Sequence, residues 1–384
     1  MRPLGDFGLW LAEQAALPMA ELHDTCCRAF VADGLPIWRA VLGTETLHPE
    51  EMGGQLIWLA HAAPVRAVFY HGVETTSSYL DSPLRVVDET WKPFRQRLTG
   101  PPANMPLLRE LQESGATDYL MVPLPFLDRS RSASISFATL RPSGFTDAEI
   151  EWLEGATRLI SPYVERRALR RIAIDLLDTY VGRQAGERIF NGQVKRGAVD
   201  TIDAAILMAD LRGFTAMSNQ QSLTQVIETL DAWFESVAAA IDAHGGEILK
   251  FMGDGLLAIF SSEGDSPDSC RRAAAAALEA CRGVDALNLE RTSAGGEAVE
   301  FVVGLHVGEV GYGNIGGRRR LDFTVLGPAV NYASRLQDLA KNVGRCILLS
   351  RKFSQQIPDP VVDLGDHPLR GIGDRERVFE LPRA

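Results

Sequence analysis

The chain has 384 residues, more than one hydrophobic core usually organises, so its length predicts two domains. Its formal net charge of −11 argues against general nucleic-acid binding, which needs a basic face to displace phosphate counterions. Hydrophobic residues make up 46% of the chain, yet no apolar run approaches the roughly 20 residues of a membrane helix. These values favour a globular protein that acts on a small molecule and has no membrane span.

The N-terminal segment and the cysteines bear on the cellular compartment. Residues 1–24 are interrupted by Glu13, Gln14 and Glu21, which predicts an amphipathic helix rather than the uninterrupted apolar centre of a signal peptide. The five cysteines lack C-x-x-C spacing, so they predict neither a disulfide framework nor a zinc site. We therefore expect a cytoplasmic chain with reduced and mostly buried thiols.

The N-terminal half mixes strand and helix patterns. TDYLMVPLPF (117–126) and SASISFATL (132–140) are typical of adjacent strands, and Thr146 with Glu149 forms a capping box that begins a helix. A strand pair followed by a closing helix resembles the end of a GAF-type sensory domain over about residues 25–168. The resemblance implies an α/β sensory or regulatory domain at 1–160, without naming its ligand.

A basic, helix-prone connector is predicted at 161–197. Leu169, Ile172 and Leu176 are spaced like a short heptad seam. Two interpretations remain open: a dimeric coiled coil, or a solvated helix packed on one domain.

The C-terminal half, 198–384, has an alternating order of elements. The patterns predict a strand (203–210), a helix (223–243), a hairpin (247–252 and 256–260), a second helix (268–282), a strand (300–308) and a helix that starts at Pro328. This order predicts a split βαβ arrangement of the ferredoxin-like type, so the whole chain is a mixed α+β protein.

Two aspartates stand where predicted strands give way to glycine-flanked turns. Asp210 lies in MADLRGFT (208–215), and Asp254 lies in HGGEILKFMGDGLLAIF (244–260). Carboxylates paired in this way suit a hard divalent cation, Mg²⁺ or Mn²⁺. The alternative for Asp254 is a turn residue, because Gly-Asp-Gly is good turn chemistry.

These two motifs occur in order with VGLHVGEVGYGNIG (303–316) and RRRLDFTVLGPAVNYASRLQ (318–337). Together they resemble the catalytic domain of class III adenylate and guanylate cyclases, over about residues 195–384. The resemblance implies a head-to-tail homodimer with two composite sites, and two metal ions per site bound by Asp210 and Asp254.

The resemblance also assigns the nucleotide contacts. Lys250 and Thr324 match the purine-reading positions of a Lys/Thr subgroup, and an ammonium donor beside a hydroxyl suits the edge of adenine better than that of guanine. Asn331 matches the ribose-orienting position, and Arg335 matches the position that stabilises charge on the α-phosphate. The alternative for Arg335 is a surface ion pair.

Phosphate contacts are expected from the backbone N–H groups of a glycine-containing turn and from one C-terminal arginine. The residues concerned are Leu211, Arg212, Gly213, Phe214 and Thr215 in the turn, and Arg370 near the C-terminus. His306 is interpreted as structural rather than as a general base.

The resulting hypothesis is an adenylate cyclase that converts ATP to cyclic AMP and pyrophosphate under control of its N-terminal domain. A small molecule or bicarbonate is left open as the regulator. Two alternatives remain: a guanylate cyclase, and a catalytically silent module that binds nucleotide or dimerises.

Overall fold

The structure is a computed structural model that describes residues 1–127, 131–262, 266–372 and 375–383. The chain divides into two compact units, Met1–Thr179 and Tyr180–Ala384. Within the described ranges, no helix is both long enough and apolar enough to cross a membrane. All five cysteines are free, and only Cys346 is not fully buried, as the sequence predicted.

The first unit is built around one antiparallel sheet. Its helices are α1 (Leu4–Glu13), α2 (Met19–Ala32), α3 (Ser77–Leu80), α4 (Pro83–Thr90), α5 (Pro106–Glu113) and α6 (Asp147–Val181). Its strands are β1 (Arg39–Glu45), β2 (Glu51–Leu59), β3 (Val65–Tyr70), β4 (Phe94–Arg97), β5 (Asp118–Pro123) and β6 (Ala133–Thr139). The strand order is β3-β2-β1-β6-β5-β4.

The two faces of this sheet carry different cores. One face packs against α1, α2 and α6 through residues such as Phe30, Phe137 and Leu153. The other face carries a smaller cluster around Leu108 and Tyr119. The antiparallel sheet and its helices thus form an α+β unit, while the resemblance to a GAF-type domain stays a prediction.

Helix α6 contains both the predicted closing helix and the first part of the predicted connector in one continuous element. It begins at the predicted capping box, where the Glu149 carboxylate accepts from the Thr146 N–H at 2.7 Å, and it runs unbroken for 35 residues. Pro162 removes one helical donor but does not end the helix. Of the predicted heptad seam, Ile172 is buried and Leu169 is 46% exposed. The seam is therefore not one uniformly buried face.

The second unit contains the remaining elements. Its helices are α7 (Arg183–Phe190), α8 (Phe214–Gln220), α9 (Leu223–Ala243), α10 (Ser266–Ser293), α11 (Pro328–Val343) and α12 (Arg351–Ser354). Its strands are β7 (Val199–Leu211), β8 (Glu247–Met252), β9 (Gly255–Ser261), β10 (Phe301–Gly316), β11 (Leu321–Leu326), β12 (Ile347–Ser350), β13 (Val362–His367) and β14 (Glu376–Glu380).

The split βαβ prediction is confirmed by the strand order β10-β7-β9-β8 at the centre of the second sheet. Alternate residues of β7 face opposite sides: Leu207 packs with the helices α9 and α10, and Ile206 packs with α7 and α11. Two elements are longer than predicted. Helix α10 extends to Ser293, and β10 extends to Gly316 because its second half pairs with β11.

Candidate active site

Asp210 and Asp254 lie side by side where β7 ends and β9 begins, in the interior of the second unit's sheet. Asp210 is the penultimate residue of β7 and pairs in register with Gly255 of β9, while the Leu211 N–H donates to the Asp254 carbonyl at 3.0 Å. The turn depends on its glycines. Gly253 has a φ of 66°, and a Cβ on Gly255 would lie 2.8 Å from the Ala209 carbonyl oxygen.

The two carboxylates interact electrostatically. Burial, reinforced by the nearby charge of Asp254, raises the pKa of Asp210 to about 6, although Lys341 acts in the opposite direction. One oxygen of Asp210 is already engaged: its Oδ2 accepts from Lys341 Nζ at 2.7 Å and from Gln337 Nε2 at 2.9 Å. The other oxygen, Oδ1, is buried and has no hydrogen-bond partner among the described residues.

The open oxygen suits a cation. No group of three or more His, Cys, Asp or Glu side chains converges within the described ranges. Magnesium needs no such group, since it commonly binds one or two carboxylates and takes its other oxygens from substrate phosphates and water. Asp210 and Asp254 therefore fit a divalent ion that arrives with a nucleotide.

Lys341 and Gln337 were missed by the sequence analysis. Both lie on α11, one turn apart, so the spacing shows that they share a face. The sequence carries no sign that this face meets Asp210, which is 131 residues from Lys341 along the chain.

The predicted purine-reading residues lie on β8 and β11, two strands that do not pair but are linked by a side-chain contact. Lys250 of β8 donates to Asp322 of β11, with Nζ 2.8 Å from Oδ2. Thr324 follows Asp322 by two residues, so both Cβ atoms point to the same side of β11. The Thr324 hydroxyl is buried and has no hydrogen-bond partner among the described residues. Asp322 is a further residue that the sequence analysis did not single out.

Asn331 and Arg335 lie one turn apart on α11, which starts at Pro328 as predicted. Arg335 pairs with Asp338 at 3.0 Å, and the two side chains are 40% and 53% exposed. The surface ion pair considered in the sequence analysis therefore forms within one protomer. Exposed pairs of this kind contribute about 0–1 kcal/mol, so the guanidinium remains available to a ligand.

Helix geometry separates this pair from Asp210, one of the two predicted metal ligands. Relative to Gln337, which touches Asp210, Arg335 is rotated by about 160° and Asn331 by about 120° around the axis of α11. The side of α11 that reaches Asp210 is thus not the side that carries Asn331 and Arg335. Within one protomer, these groups face different directions.

The predicted phosphate-binding turn is corrected in part. The Leu211 N–H donates to Asp254 and the Arg212 N–H donates to the Glu300 carbonyl, so tertiary acceptors already use both donors. The Arg212 side chain also contacts Glu300, at 3.0 Å. The N–H groups that remain are those of Gly213, Phe214 and Thr215, at the start of α8.

Two other predicted residues lie outside this arrangement. Arg370 is exposed in the loop between β13 and β14, and the structure gives it no contact with the aspartates. His306 is held by Ser350, with Nδ1 2.8 Å from Oγ, and its ring stacks on Tyr332. Burial lowers the pKa of His306 to about 4, which suits the structural role predicted for it.

Comparison with known proteins identifies the family of the chain. Residues 198–357 match the family described as the adenylate and guanylate cyclase catalytic domain. The chain is also 30% identical to the guanylyl cyclase Cya2 over 48% of this chain and 93% of that one, with a TM-score of 0.43. The chain belongs to the class III nucleotidyl cyclases.

Relatives of this class III cyclase include named adenylate cyclases. That of Anabaena cylindrica is 32% identical over 44% of this chain and 33% of its own length. Adenylate cyclase 1 of Rhizobium meliloti is 27% identical over 73% of this chain and 43% of its own length. The chain thus spans less than half of either curated relative. A bacterial light-regulated adenylyl cyclase shares the fold, with 17% identity and a TM-score of 0.50, over 69% of this chain and 85% of that one.

Proposed function

We propose that this class III cyclase is an adenylate cyclase that converts ATP to 3′,5′-cyclic AMP and pyrophosphate at composite sites of a homodimer. The observation that carries the proposal is the placement of two carboxylates, Asp210 and Asp254, side by side with an unpartnered oxygen, in the same fold unit as Lys250 and Thr324. A site that had lost catalysis would have no need to keep Asp210 partly desolvated next to a second carboxylate.

Asp210 and Asp254 would hold two Mg²⁺ or Mn²⁺ ions together with the nucleotide phosphates. When bound, such ions act as Lewis acids that polarise the attacking and leaving oxygens. Gly213, Phe214 and Thr215 would supply N–H donors to the phosphates from the start of α8. Arg370 is proposed for the same role.

In the reaction the ribose 3′ oxygen bonds to the α-phosphorus, and the bond from that phosphorus to the bridging oxygen of pyrophosphate breaks. The 3′ hydroxyl proton passes to a carboxylate or to a phosphate oxygen of the substrate. Asn331 would orient the ribose. Arg335 would donate to the α-phosphate, where negative charge grows in the transition state.

The proposal needs a second copy of the chain because α11 contacts Asp210 with one side and carries Asn331 and Arg335 on another. A protomer that binds the phosphates at Asp210 would need Arg335 and Lys250 from a partner, arranged head to tail. The chain also offers apolar surface for such a contact: Ile227 of α9 is 47% exposed and Phe251 of β8 is 54% exposed.

The adenine preference rests on Lys250 and Thr324. The ammonium can donate to adenine N1 and the hydroxyl can accept from its amino group. A guanylate cyclase is the second candidate, and a specific observation supports it: Asp322, paired with Lys250, could accept from the N1–H of guanine. The relative Cya2 is a guanylyl cyclase, so family membership does not choose between the two nucleotides.

We further propose that residues 1–160 regulate the catalytic domain, 198–384, through the connector 161–197. Contacts within the second unit support a mechanical link. The Ala185 N–H of α7 donates to the Glu247 carboxylate of β8 at 3.0 Å, and Lys250 follows three residues later on that strand. A shift of α7 would thus be transmitted to the strand that carries Lys250.

The test is product formation by the purified full-length chain with ATP or GTP and Mg²⁺ or Mn²⁺, followed by mass spectrometry. Cyclic AMP and pyrophosphate, formed by the wild type and lost in Asp254→Ala, are the expected result. Cyclic GMP as the main product would favour the second candidate. Nucleotide binding by a verified dimer without any product would reject cyclase activity for the isolated chain.

A further inference from the structure

The first unit contains a cavity of about 370 Å³ on the face of its sheet that is turned away from α1, α2 and α6. Residues of β1 and β6 line its floor, and residues of α3, α4 and α5 line its sides. This volume falls in the range of about 300–1,000 Å³ that is typical of small-molecule sites.

Strand alternation makes the floor of this cavity polar. On β6, Ala133, Ile135 and Phe137 point into the apolar core, whereas Ser134 and Ser136 point into the cavity. Both serines are buried, at 4% and 3% exposure. A polar sheet face normally meets water. Here α3, α4 and α5 cover it, so the two serine hydroxyl groups face the cavity and can bind a polar group of a ligand.

Arg39 provides the main charge at one end. It lies at the start of β1, lines the cavity, and makes no hydrogen bond or ion pair with any described residue. Burial lowers the pKa of its guanidinium. Nearby, the buried hydroxyl of Tyr119 also lacks a hydrogen-bond partner among the described residues. None of the described residues thus supplies a hydrogen-bond acceptor to the Arg39 guanidinium or to the Tyr119 hydroxyl.

The acidic groups of the cavity do not neutralise Arg39. Glu45 lies six residues further along β1, roughly 20 Å away in Cα position, and its carboxylate accepts from the Ser132 N–H at 2.8 Å. Asp88 accepts from the hydroxyls of Tyr79 and Ser132. Glu110 of α5 adds a favourable charge to Arg39 from an exposed position, without forming an ion pair.

Apolar side chains occupy the space between the two ends. Val41, Met121 and Leu107 line the cavity, and its walls expose more apolar than polar surface. The complementary ligand has an apolar body and one anionic group.

We propose that this cavity binds a small organic anion, with its carboxylate, sulfonate or phosphate group against Arg39 and Tyr119 and its apolar body against Val41, Met121 and Leu107. A charge-assisted, bidentate contact is the strongest interaction a guanidinium can make, and it would offset the cost of partly desolvating Arg39. The site belongs to the first unit and does not depend on catalysis by the second.

The test compares two fluorescent probes of similar shape, the anion 8-anilinonaphthalene-1-sulfonate and the neutral N-phenyl-1-naphthylamine, by titration into the full-length chain. We expect saturable binding with a preference for the anion. Arg39→Met should weaken anion binding by about tenfold or more and leave binding of the neutral probe nearly unchanged. Glu110→Gln should strengthen anion binding, because it removes a competing negative charge.

Two controls separate a lost contact from a lost fold. Arg39→Lys keeps the positive charge and should retain most of the anion preference. Arg66→Met removes an exposed arginine of β3 that does not line this cavity, and it should behave as the wild type. Equal affinity of the wild type for both probes, or an equal loss of both probes in Arg39→Met, would overturn the proposal.

Discussion

The Nζ atom of Lys341 lies 2.7 Å from Oδ2 of Asp210, so a cation from the same protomer already compensates the predicted metal ligand. Gln337 donates to the same oxygen. The carboxylate is thus held in position by α11 while its other oxygen stays open. This arrangement fixes the direction of Asp210 but places a positive charge close to an incoming divalent ion.

Replacement of Lys341 by Met should therefore tighten Mn²⁺ binding in the absence of nucleotide. The repulsion between one positive charge and a bound ion at about this distance reaches about 4 kcal/mol near a protein surface. Solvent screening reduces this repulsion, so we expect the Kd for Mn²⁺ to fall by about three- to tenfold. Isothermal titration calorimetry or Mn²⁺ electron paramagnetic resonance at pH 8 measures this Kd. Lys195→Met, at an exposed site, is the control. Weaker Mn²⁺ binding in Lys341→Met would show that Lys341 serves mainly to orient Asp210.

The composite-site proposal predicts complementation between two inactive variants. Asp210→Ala and Arg335→Ala chains should each be inactive alone. After mixing, half of the dimers are heterodimers with one intact site, so about a quarter of the wild-type activity should return. Subunit exchange is verified with two affinity tags. If verified heterodimers stay inactive, Asp210 and Arg335 do not act in one shared site.

The pair of Lys250 and Asp322 predicts a distinct effect on nucleotide choice. Asp322→Asn should lower kcat/KM for ATP by about tenfold, because the ammonium loses the carboxylate that orients it. The loss for GTP should be smaller if the site reads adenine. Asp363→Asn, at an exposed aspartate paired with Arg377, is the matched control. A larger loss for GTP than for ATP would identify Asp322 as an acceptor for guanine and support the guanylate cyclase candidate.

The local motifs predicted the central elements of the second unit well. The order of strands and helices around Asp210 and Asp254 follows from hydrophobic periodicity and from glycine-flanked turns, which act over a few residues. The partners of these motifs were not predictable in the same way. Asp322 lies 72 residues from Lys250, and Lys341 lies 131 residues from Asp210, so their contacts exist only after the sheet has formed.

Two differences between the predictions and the structure have separate physical causes. The N–H groups of Leu211 and Arg212 looked free because the sequence does not show that Asp254 and Glu300 offer carbonyl acceptors to them. The domain boundary predicted at residue 160 falls inside one continuous helix, because helix-forming residues continue to Val181 and the next glycine is Gly182. Carbonyl groups from distant parts of the chain use the two N–H donors, and no helix-breaking glycine interrupts the helix after residue 160 until Gly182.

The burial of His23 predicts that the stability of the first unit depends on pH. The ring is buried on α2, with 4% exposure, and burial lowers its pKa to about 4 despite opposing contributions from Ala40 and Asp24. In the unfolded chain the pKa is about 6.5. Between these values the unfolded state binds more protons, so the free energy of unfolding falls as the pH drops from about 6.5 towards 4 and is fully retained above 6.5.

The variant His23→Gln removes this titration while keeping a polar side chain of similar size. Its free energy of unfolding should fall less steeply than that of the wild type, by up to about 3 kcal/mol between pH 7 and pH 4. Scanning calorimetry in small pH steps measures this difference in the free energy of unfolding. The transition to follow is the one that His23→Gln shifts at pH 7. His61→Gln, at an exposed histidine of the same unit, should leave the wild-type slope unchanged. Parallel curves for His23→Gln and the wild type would mean that other groups cause the acid sensitivity.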